Sequence, residues 1–384
     1  MEKIIYLDNA ATTKVSKPAL DAMLPFLHEG YGNPSSIYSV GRDAKKAIED
    51  ARATVSRLIG ALSEEIFFTG SGTESNNWAL KSAVEFRRDK GKHIITSVIE
   101  HPAVLKTLDY LEAEGYEITR LGVDENGQIS IVDLEKAIRK DTIIISIMTA
   151  NNEIGTILPI GQIGKIAKEN DVLFHTDAVQ AVGSIPIDVT EMNVDFLTFS
   201  GHKLGAAKGV GVLYVKKGLK LPPFIHGGGQ ESGRRSGTEN VAGIAGLAAA
   251  LEYRCSQLPL EGLAKKRDRL IKKLLEIPSS SLTGDPINRL PGIASFVFDA
   301  IEGESMLLLL DHFGICGSSG SACSSGSLDP SHVLLAIGLP HEIAHGSLRL
   351  SLSEETTDEE IDFVAEKLTE IVEKLRAMSP VWNG

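Results

Sequence analysis

Short apolar runs alternate with helical patterns through the first half of this chain, and this alternation constrains the fold more than any other feature. The runs FFT, IITSV, IIISIM, VLF and FLTF are rich in β-branched and aromatic residues, and each ends in glycine or polar residues. Segments of helical periodicity, such as WALKSAVEFRR and AVLKTLDYLEAEG, separate most of them. Strands joined through helices form βαβ units, so the sequence predicts an α/β fold with a mostly parallel central sheet flanked by helices.

The rhythm changes after the glycine- and proline-rich section LPPFIHGGGQESGRRSGTEN. Later strand-like runs, such as ASFVFD and SLRLSLS, are isolated among helices, a pattern typical of an α+β unit. We therefore predict a large domain over residues 14–255 and a smaller α+β domain over residues 256–384, joined by residues 1–13. The last helix is predicted to begin at a capping box formed by Thr357 and Glu360.

Polar residues or glycines follow five of the predicted strands, at positions 70–73, 100–101, 151–153, 175–177 with 180, and 200–203. In an open α/β sheet, ligands bind outside the carboxyl ends of the strands. One polar strand end would mean little, but five that converge on one edge describe a site.

The residue types at these ends match the functional groups of one molecule. The turn GSGT opens a helix, so its N–H groups and the hydroxyls of Thr73 and Ser200 suit a phosphate. A carboxylate behind a strand, Asp177, suits a protonated ring nitrogen, since burial without a cation would be costly. A desolvated Lys203 suits an aldehyde, with which its amine forms an imine. Phosphate, pyridinium and aldehyde together indicate pyridoxal phosphate.

Each of these residues also has a purely structural interpretation when it is taken alone. Lys203 could be a solvated loop lysine, Asp177 a turn carboxylate and His101 a hydrogen-bonded histidine at a strand end. A nucleotide-binding oxidoreductase using GSGTES is an alternative, but the segment lacks the third glycine of the dinucleotide fingerprint and has no Walker lysine. That alternative predicts no chromophore bound to a lysine.

Composition limits the partners and the compartment. A formal net charge of −12 disfavours nucleic acid and anionic membranes as partners. The 3 cysteines form no CxxC pair and are too few for a disulfide framework. With no signal peptide, no transmembrane run and no metal-ligand pattern in the sequence, we expect a cytoplasmic protein without a structural metal.

The motifs of the chain resemble those of a known family. YLDNAATT, GNPSS, TGSGTESNN, EHPAV, NNEIG, HTDAVQ, SGHK, RRSGTEN and SSGSACSS occur in the order seen in NifS/IscS-like cysteine desulfurases. These enzymes belong to the class-V aminotransferases and have the fold-type I architecture of pyridoxal-phosphate enzymes. The resemblance extends from Tyr6 to about Trp382, and SGHK together with SSGSAC is its most specific part.

The resemblance implies a role for each matching residue around the cofactor. Lys203 would hold pyridoxal phosphate and later move protons, Asp177 would pair with the pyridine nitrogen, Gln180 with the ring hydroxyl, and His101 would stack on the ring. The residues that would bind the phosphate are Gly72, Thr73, Ser200, His202 and, from the second subunit of a homodimer, Thr238.

It also implies how a substrate would be held. Asn152 would lie beside the cofactor and the substrate, and Arg349 would clamp the substrate carboxylate, with Asn33 as a weaker helper. One departure from the family pattern follows the lysine, where Ala206 and Ala207 replace the usual Gly-Pro.

The third cysteine gives the resemblance its particular chemistry. Cys323 lies in CGSSGSACSSGS, which has little side-chain bulk to pack, so we expect an exposed and mobile loop. There it would attack the sulfur of L-cysteine, give alanine and a persulfide, and pass the sulfur to an acceptor or scaffold protein. Cys255 and Cys316 lie in apolar patterns and are predicted to be packing residues.

Three other functions remain open at this point. An aminotransferase or a selenocysteine-preferring lyase would share Lys203 and Asp177 but need not depend on Cys323. A non-enzymatic sulfur-relay protein would keep the cysteine loop but would have no use for the five polar strand ends.

Overall fold

The computed structural model describes residues 4–319 and 329–382. The strands in this part of the chain are β1 (Ile5–Tyr6), β2 (Ile66–Thr69), β3 (His93–Ser97), β4 (Glu117–Leu121), β5 (Thr142–Ser146), β6 (Leu173–Asp177), β7 (Phe196–Ser200), β8 (Gly211–Val215), β9 (Ser280–Leu282), β10 (Ile293–Phe298), β11 (Ile315–Cys316) and β12 (Ser347–Ser351). The helices are α1 (Lys17–Leu27), α2 (Ser39–Leu58), α3 (Gly72–Phe86), α4 (Pro102–Ala113), α5 (Ile131–Ala137), α6 (Ile160–Glu169), α7 (Gln230–Gly233), α8 (Val241–Cys255), α9 (Glu261–Leu274), α10 (Gly303–His312), α11 (His332–Ala336), α12 (His341–Ala344) and α13 (Asp358–Met378).

Seven strands form the central sheet, in the order β2-β8-β7-β6-β5-β3-β4. Neighbours from β7 through β6, β5 and β3 to β4 pair in parallel, whereas β8 pairs antiparallel with both β2 and β7. The predicted α/β class with a mostly parallel sheet is confirmed, and β8 is the exception to the parallel order.

Strands that are apolar on both faces need cover on both sides, and the helices supply it. Every residue of β2, β3, β5, β6, β7 and β8 is buried. Successive side chains face opposite sides: Phe67 packs in a cluster with α3 and α4, whereas Phe68 packs in the cluster that includes α2, α6 and α8. The sheet is therefore the middle layer of the large unit.

The C-terminal part contains the antiparallel sheet β12-β10-β9, and the N-terminal strand β1 pairs in parallel with β11. Ile5 and Leu7 share an apolar cluster with residues from Leu260 to Val372, separate from the clusters on the central sheet. Ala10, by contrast, belongs to the cluster on the central sheet. The division into residues 14–255 and 256–384 with residues 1–13 stays a prediction.

Helix α13 begins as its sequence predicts. The Thr357 hydroxyl accepts the backbone N–H of Glu360 at 3.2 Å, and the Glu360 carboxylate accepts the backbone N–H of Thr357 at 3.1 Å. Ile361, Val364 and Leu368 lie on its buried face.

Among the described residues, none of the helices has both the length and the apolar character needed to cross a bilayer.

Candidate active site

The carboxyl ends of five strands lie at one edge of the central sheet. Strands β3, β5, β6 and β7 run parallel, and β2 runs in their direction because β8 pairs antiparallel with both β2 and β7. The polar segments that follow these strands therefore converge, as predicted.

Helix α3 begins at this edge, directly after β2, with Ser71 as its N-cap. The backbone N–H groups of Gly72 and Thr73 find no acceptor in the part of the chain that the structure describes. A Cβ on Gly72 would lie 2.8 Å from Val179 Cγ2 and 3.5 Å from Ser200 Cβ, so glycine lets the helix approach the neighbouring strand ends closely. Two N–H groups at the positive end of a helix, beside the hydroxyls of Thr73 and Ser200, form a set of donors for a phosphate.

His202 adds a neutral imidazole near this set. Its Nδ1 lies 3.2 Å from the Thr12 hydroxyl. Burial, followed by the charges of Lys203 and Lys208, lowers the pKa of His202 to about 4. The ring is therefore uncharged at neutral pH and can donate one hydrogen bond to an anion.

Asp177, the last residue of β6, is only 5% exposed. Its Oδ2 accepts a hydrogen bond from Asn76 Nδ2 at 2.6 Å, and its Oδ1 accepts the backbone N–H of Val179 at 3.0 Å. These donors fix the orientation of the carboxylate, but both are neutral groups. A buried carboxylate held in this way is suited to a cationic partner such as a pyridinium nitrogen.

His101 lies near enough to Asp177 and Lys203 for their charges to affect it. It is the N-cap of α4, and its Nδ1 accepts the backbone N–H of Ala103 at 3.1 Å. Burial lowers its pKa most; the charge of Asp177 opposes this effect, and those of Lys203 and His332 add to it. His101 is thus neutral at pH 7, and because Nδ1 is an acceptor, the proton is on Nε2.

Lys203 ends the short turn Gly201–Lys203 after β7. Its Nζ donates to the backbone carbonyls of Ala10 at 2.6 Å and Ala11 at 2.7 Å, and Gln180 Nε2 donates to the same Ala10 carbonyl at 2.9 Å. The N-terminal segment therefore brings the lysine and Gln180 together.

The departure from the family pattern after the lysine does not open this turn. The backbone N–H of Ala206 donates to the Gly201 carbonyl at 3.0 Å, and Ala206 is 1% exposed. A backbone hydrogen bond thus closes the turn that carries Lys203.

Arg349 lies in the middle of β12 and is 3% exposed. Its Nη2 contacts Asp8 Oδ1 at 2.9 Å, and its Nη1 donates to the backbone carbonyl of Asn152 at 3.1 Å. The guanidinium thus reaches the loop after β5, where Asn152 lies. A buried cation at this position suits a carboxylate ligand.

Three predicted site residues are not brought to this edge by the described contacts. Asn33 is exposed, and its side chain accepts the backbone N–H of Ser35 at 2.9 Å within its own turn. Thr238 is also exposed, and its predicted role requires a second subunit. Cys323 lies outside the described residues. The roles of all three stay predictions.

Three further polar side chains near the site carried no predicted role: Asn76, Asp8 and Glu100. Glu100 is 0% exposed; its Oε1 accepts hydrogen bonds from Ser97 Oγ at 2.6 Å and from the backbone N–H of Met148 at 3.0 Å. Burial raises the pKa of Glu100 to about 8. Its place next to His101 was a signal in the sequence, whereas Asn76 could be identified only from its contact with Asp177.

The residues at this edge fit pyridoxal phosphate. The space at Gly72, which a Cβ would fill, suits the phosphate, as do the N–H groups of Gly72 and Thr73, which have no acceptor among the described residues. The buried Asp177 suits the ring nitrogen. The Oδ1 atom of Asn76 is also buried, without a hydrogen-bond partner among the described residues. Fold and site together define a pyridoxal-phosphate enzyme of fold-type I.

Comparison with known proteins makes the assignment more specific. The family model for class-V aminotransferases matches residues 5–364. Cysteine desulfurase IscS of Methanosarcina thermophila is 55% identical over 381 residues, covering 99% of this chain and 94% of the relative. The cysteine desulfurase IscS of Clostridium botulinum is 52% identical over 388 aligned residues, covering 100% of this chain and 98% of the relative.

Solved structures agree with this result. A NifS-like protein superposes with a TM-score of 0.92 at 39% identity, covering 97% of this chain and 100% of the other. The structure of SspA in complex with cysteine superposes with a TM-score of 0.81 at 39% identity, covering 91% and 98%. The chain belongs to the NifS/IscS-like cysteine desulfurases of the class-V aminotransferase family, whose cofactor is pyridoxal phosphate.

Proposed function

We propose that this enzyme removes sulfur from L-cysteine, releases L-alanine and retains the sulfur on Cys323 as a persulfide. One observation supports an α-amino acid as the substrate: the amine of Lys203 and the guanidinium of Arg349 both contact the N-terminal segment 8–11. A substrate can therefore present its amine near Lys203 and its carboxylate near Arg349. The related SspA structure, which contains cysteine, supports cysteine as that amino acid.

The residues of the site divide the binding of cofactor and substrate among them. Lys203 would hold the cofactor covalently through its amine, the start of α3 would bind the phosphate, and Asp177 would pair with the ring nitrogen. When bound, pyridoxal phosphate supplies a ring that accepts the electron pair released at the substrate Cα. The amine of Lys203 would serve as the base that takes the Cα proton of the substrate.

The sulfur step is a displacement at the substrate sulfur. The Cys323 thiolate attacks the substrate Sγ, so an S–S bond forms as the Cβ–Sγ bond breaks. The electron pair of the broken bond passes to the carbon skeleton, which takes up protons and leaves as L-alanine. Sulfur is oxidised to the sulfane level while carbon is reduced, so the step needs no external oxidant or reductant.

His101 can offer the substrate a hydrogen-bond donor but not a base. Its Nδ1 already accepts the Ala103 N–H, and its lowered pKa keeps the ring neutral. The Nε2–H therefore donates a hydrogen bond toward the substrate, and Lys203 acts as the base.

The other two cysteines are poor candidates for the attacking thiolate. Burial raises the pKa of Cys255, and burial together with the charges of Asp311 and Asp8 raises the pKa of Cys316. Both thiols are therefore less ionised at neutral pH than a free cysteine. This supports Cys323 as the sulfur acceptor.

The experiment compares visible spectra and sulfide release for the wild type, Lys203→Ala and Cys323→Ala, with Cys255→Ala as the matched control. We expect Lys203→Ala to lose the lysine-bound chromophore. Cys323→Ala should keep the chromophore but lose sulfide release by about 1,000-fold or more. Cys255→Ala should behave as the wild type. Retained sulfide release in Cys323→Ala would remove that residue from the mechanism.

We also infer a homodimer that passes sulfur to a further protein. Exposed apolar side chains occupy one stretch from α1 to the start of α2, which we name the α1 patch: Leu20, Leu24, Leu27, Tyr31, Ile37 and Tyr38. A patch of this kind is typical of a protein interface, and the exposed Thr238 is available to the cofactor of a second subunit. The chain has only 3 cysteines, too few for a disulfide framework, which supports a reducing compartment and hence a cytoplasmic location.

A further inference from the structure

The cation proposed to bind the substrate carboxylate already has a carboxylate partner. Arg349 Nη2 lies 2.9 Å from Asp8 Oδ1, and the side chains are 3% and 19% exposed, respectively. The Nη1 group is engaged by the Asn152 carbonyl. The Nε atom is buried and has no hydrogen-bond partner among the described residues.

Asp8 is held firmly beside this arginine by backbone pairing. It forms a parallel bridge with Ser351, two residues after Arg349 on β12. The next residue, Asn9, donates to the Ser351 carbonyl from Nδ2 at 2.8 Å, and the backbone N–H of Ala10 donates to the Ser351 hydroxyl at 2.8 Å. These contacts fix the backbone at position 8 beside β12, within reach of the Arg349 guanidinium, and the ion pair holds the Asp8 carboxylate against it.

A second carboxyl group lies near the same guanidinium. Glu153 is buried, it accepts a hydrogen bond from the Ser331 hydroxyl, and the Arg349 charge acts on it. Burial raises the pKa of Glu153 to about 7, so this group is partly protonated at neutral pH. Asp8 is thus the counter-ion in direct contact, and an incoming carboxylate must share a single cation with it.

We propose that Asp8 is a specificity-determining residue that weakens the binding of substrate and product carboxylates by competing for Arg349. The inference rests on the proposed role of Arg349 in binding the carboxylate. The physical reason is that two carboxylates at one guanidinium repel each other, whereas a neutral side chain at position 8 leaves the full positive charge for the ligand. Asparagine keeps an oxygen in place to accept the hydrogen bond from Nη2, so Arg349 stays oriented.

The test measures binding of L-alanine and of ethylamine, which is the same molecule without the carboxylate, to enzyme loaded with its cofactor. Neither ligand contains sulfur, so the result does not depend on Cys323. Dissociation constants come from calorimetry or from the change in visible absorbance. We expect Asp8→Asn to bind L-alanine about tenfold more tightly and ethylamine as the wild type does.

Three variants complete the design. Asp8→Ser is a second neutral variant, used if Asp8→Asn fails to fold, and should change binding in the same direction. Asp133→Asn removes one negative charge at an exposed position on α5, away from the carboxylate-binding arginine. It should leave both dissociation constants unchanged. Arg349→Gln should weaken L-alanine binding and leave ethylamine binding unchanged.

Weaker L-alanine binding in Asp8→Asn, or equal changes for the two ligands, would overturn the inference. If Arg349→Gln also leaves the preference for L-alanine over ethylamine unchanged, then the proposed role of Arg349 in binding the carboxylate is overturned as well. If Arg349→Gln abolishes that preference and neither neutral variant at position 8 alters it, only the role of Asp8 is overturned.

Discussion

At the scale of single residues, burial decides the charge of the groups around the site. Glu100 shows this most clearly, because its carboxyl group is fully enclosed and only Oε1 has hydrogen-bond partners among the described residues. Its pKa of about 8 in the folded protein exceeds the ordinary glutamate value of 4.5. At neutral pH the side chain is protonated in the folded state and ionised in the unfolded state.

This difference predicts how stability depends on pH. The contribution of Glu100 is fully present below about pH 4.5 and is lost as the pH rises through about 8, because only the unfolded state releases the proton in this range. Glu100→Gln cannot release a proton. The stability of the wild type relative to Glu100→Gln should therefore fall by on the order of 2 kcal/mol between about pH 6 and pH 8.

Urea unfolding of both proteins, each saturated with cofactor, checks this prediction. Histidines such as His175 and His202 titrate in both proteins, so their contributions cancel in the difference. A difference in stability that stays constant with pH would show that Glu100 is ionised in the folded protein.

At the scale of elements, the start of α3 has the clearest functional demand. Helix and strands approach so closely there that Gly72 has no room for a side chain. Gly72→Ala should push the free N–H groups away from the phosphate, and we expect the dissociation constant for pyridoxal phosphate to rise about tenfold. Titration of the cofactor-free enzyme with pyridoxal phosphate, followed by visible absorbance, measures this.

Gly161→Ala is the matched control. Gly161 also lies in the first turn of a helix, α6, but a Cβ there would meet nothing within 4 Å. This variant should bind the cofactor like the wild type and gain up to about 1 kcal/mol in stability. Cofactor binding that is equal in the two variants would contradict the close-approach explanation.

At the scale of the whole molecule, the α1 patch predicts how two chains associate. Leu20, Leu24 and Leu27 lie on one face of α1 and are 42%, 52% and 62% exposed. The double change Leu24→Glu and Leu27→Glu should convert the proposed homodimer to a monomer, because charges cannot be buried there without partners. It should also weaken cofactor binding, since the proposed phosphate contact of Thr238 from the second subunit would be lost.

Light scattering coupled to size exclusion gives the molecular mass. Leu308→Glu is the control, because Leu308 is 69% exposed on α10, outside the patch. It should remain dimeric. A dimer that survives the double change would place the interface elsewhere.

Much of the fold and half of the site follow from local patterns in the sequence. The periodicity of a strand or a helix can be recognised within a window of roughly 10 to 20 residues. It therefore predicted which segments form the central sheet and at which edge its parallel strands end. Because parallel strands end at the same edge, Gly72, Asp177 and Lys203 could be predicted to lie near each other. The antiparallel pairing of β8 was not predicted, since pairing direction depends on neighbours that are distant in the chain.

The remaining half of the site depends on contacts between distant segments. The Ala10 carbonyl is 193 residues from Lys203, and Asp8 is 341 residues from Arg349. Asn76 has a role only because α3 packs against β6. The sequence by itself therefore determined which elements form and what chemistry their ends carry. Tertiary structure alone decided which backbone carbonyls contact Lys203 and which carboxylate contacts Arg349. The reason is that the N-terminal segment packs against β12 and brings its carbonyls and Asp8 to these two side chains.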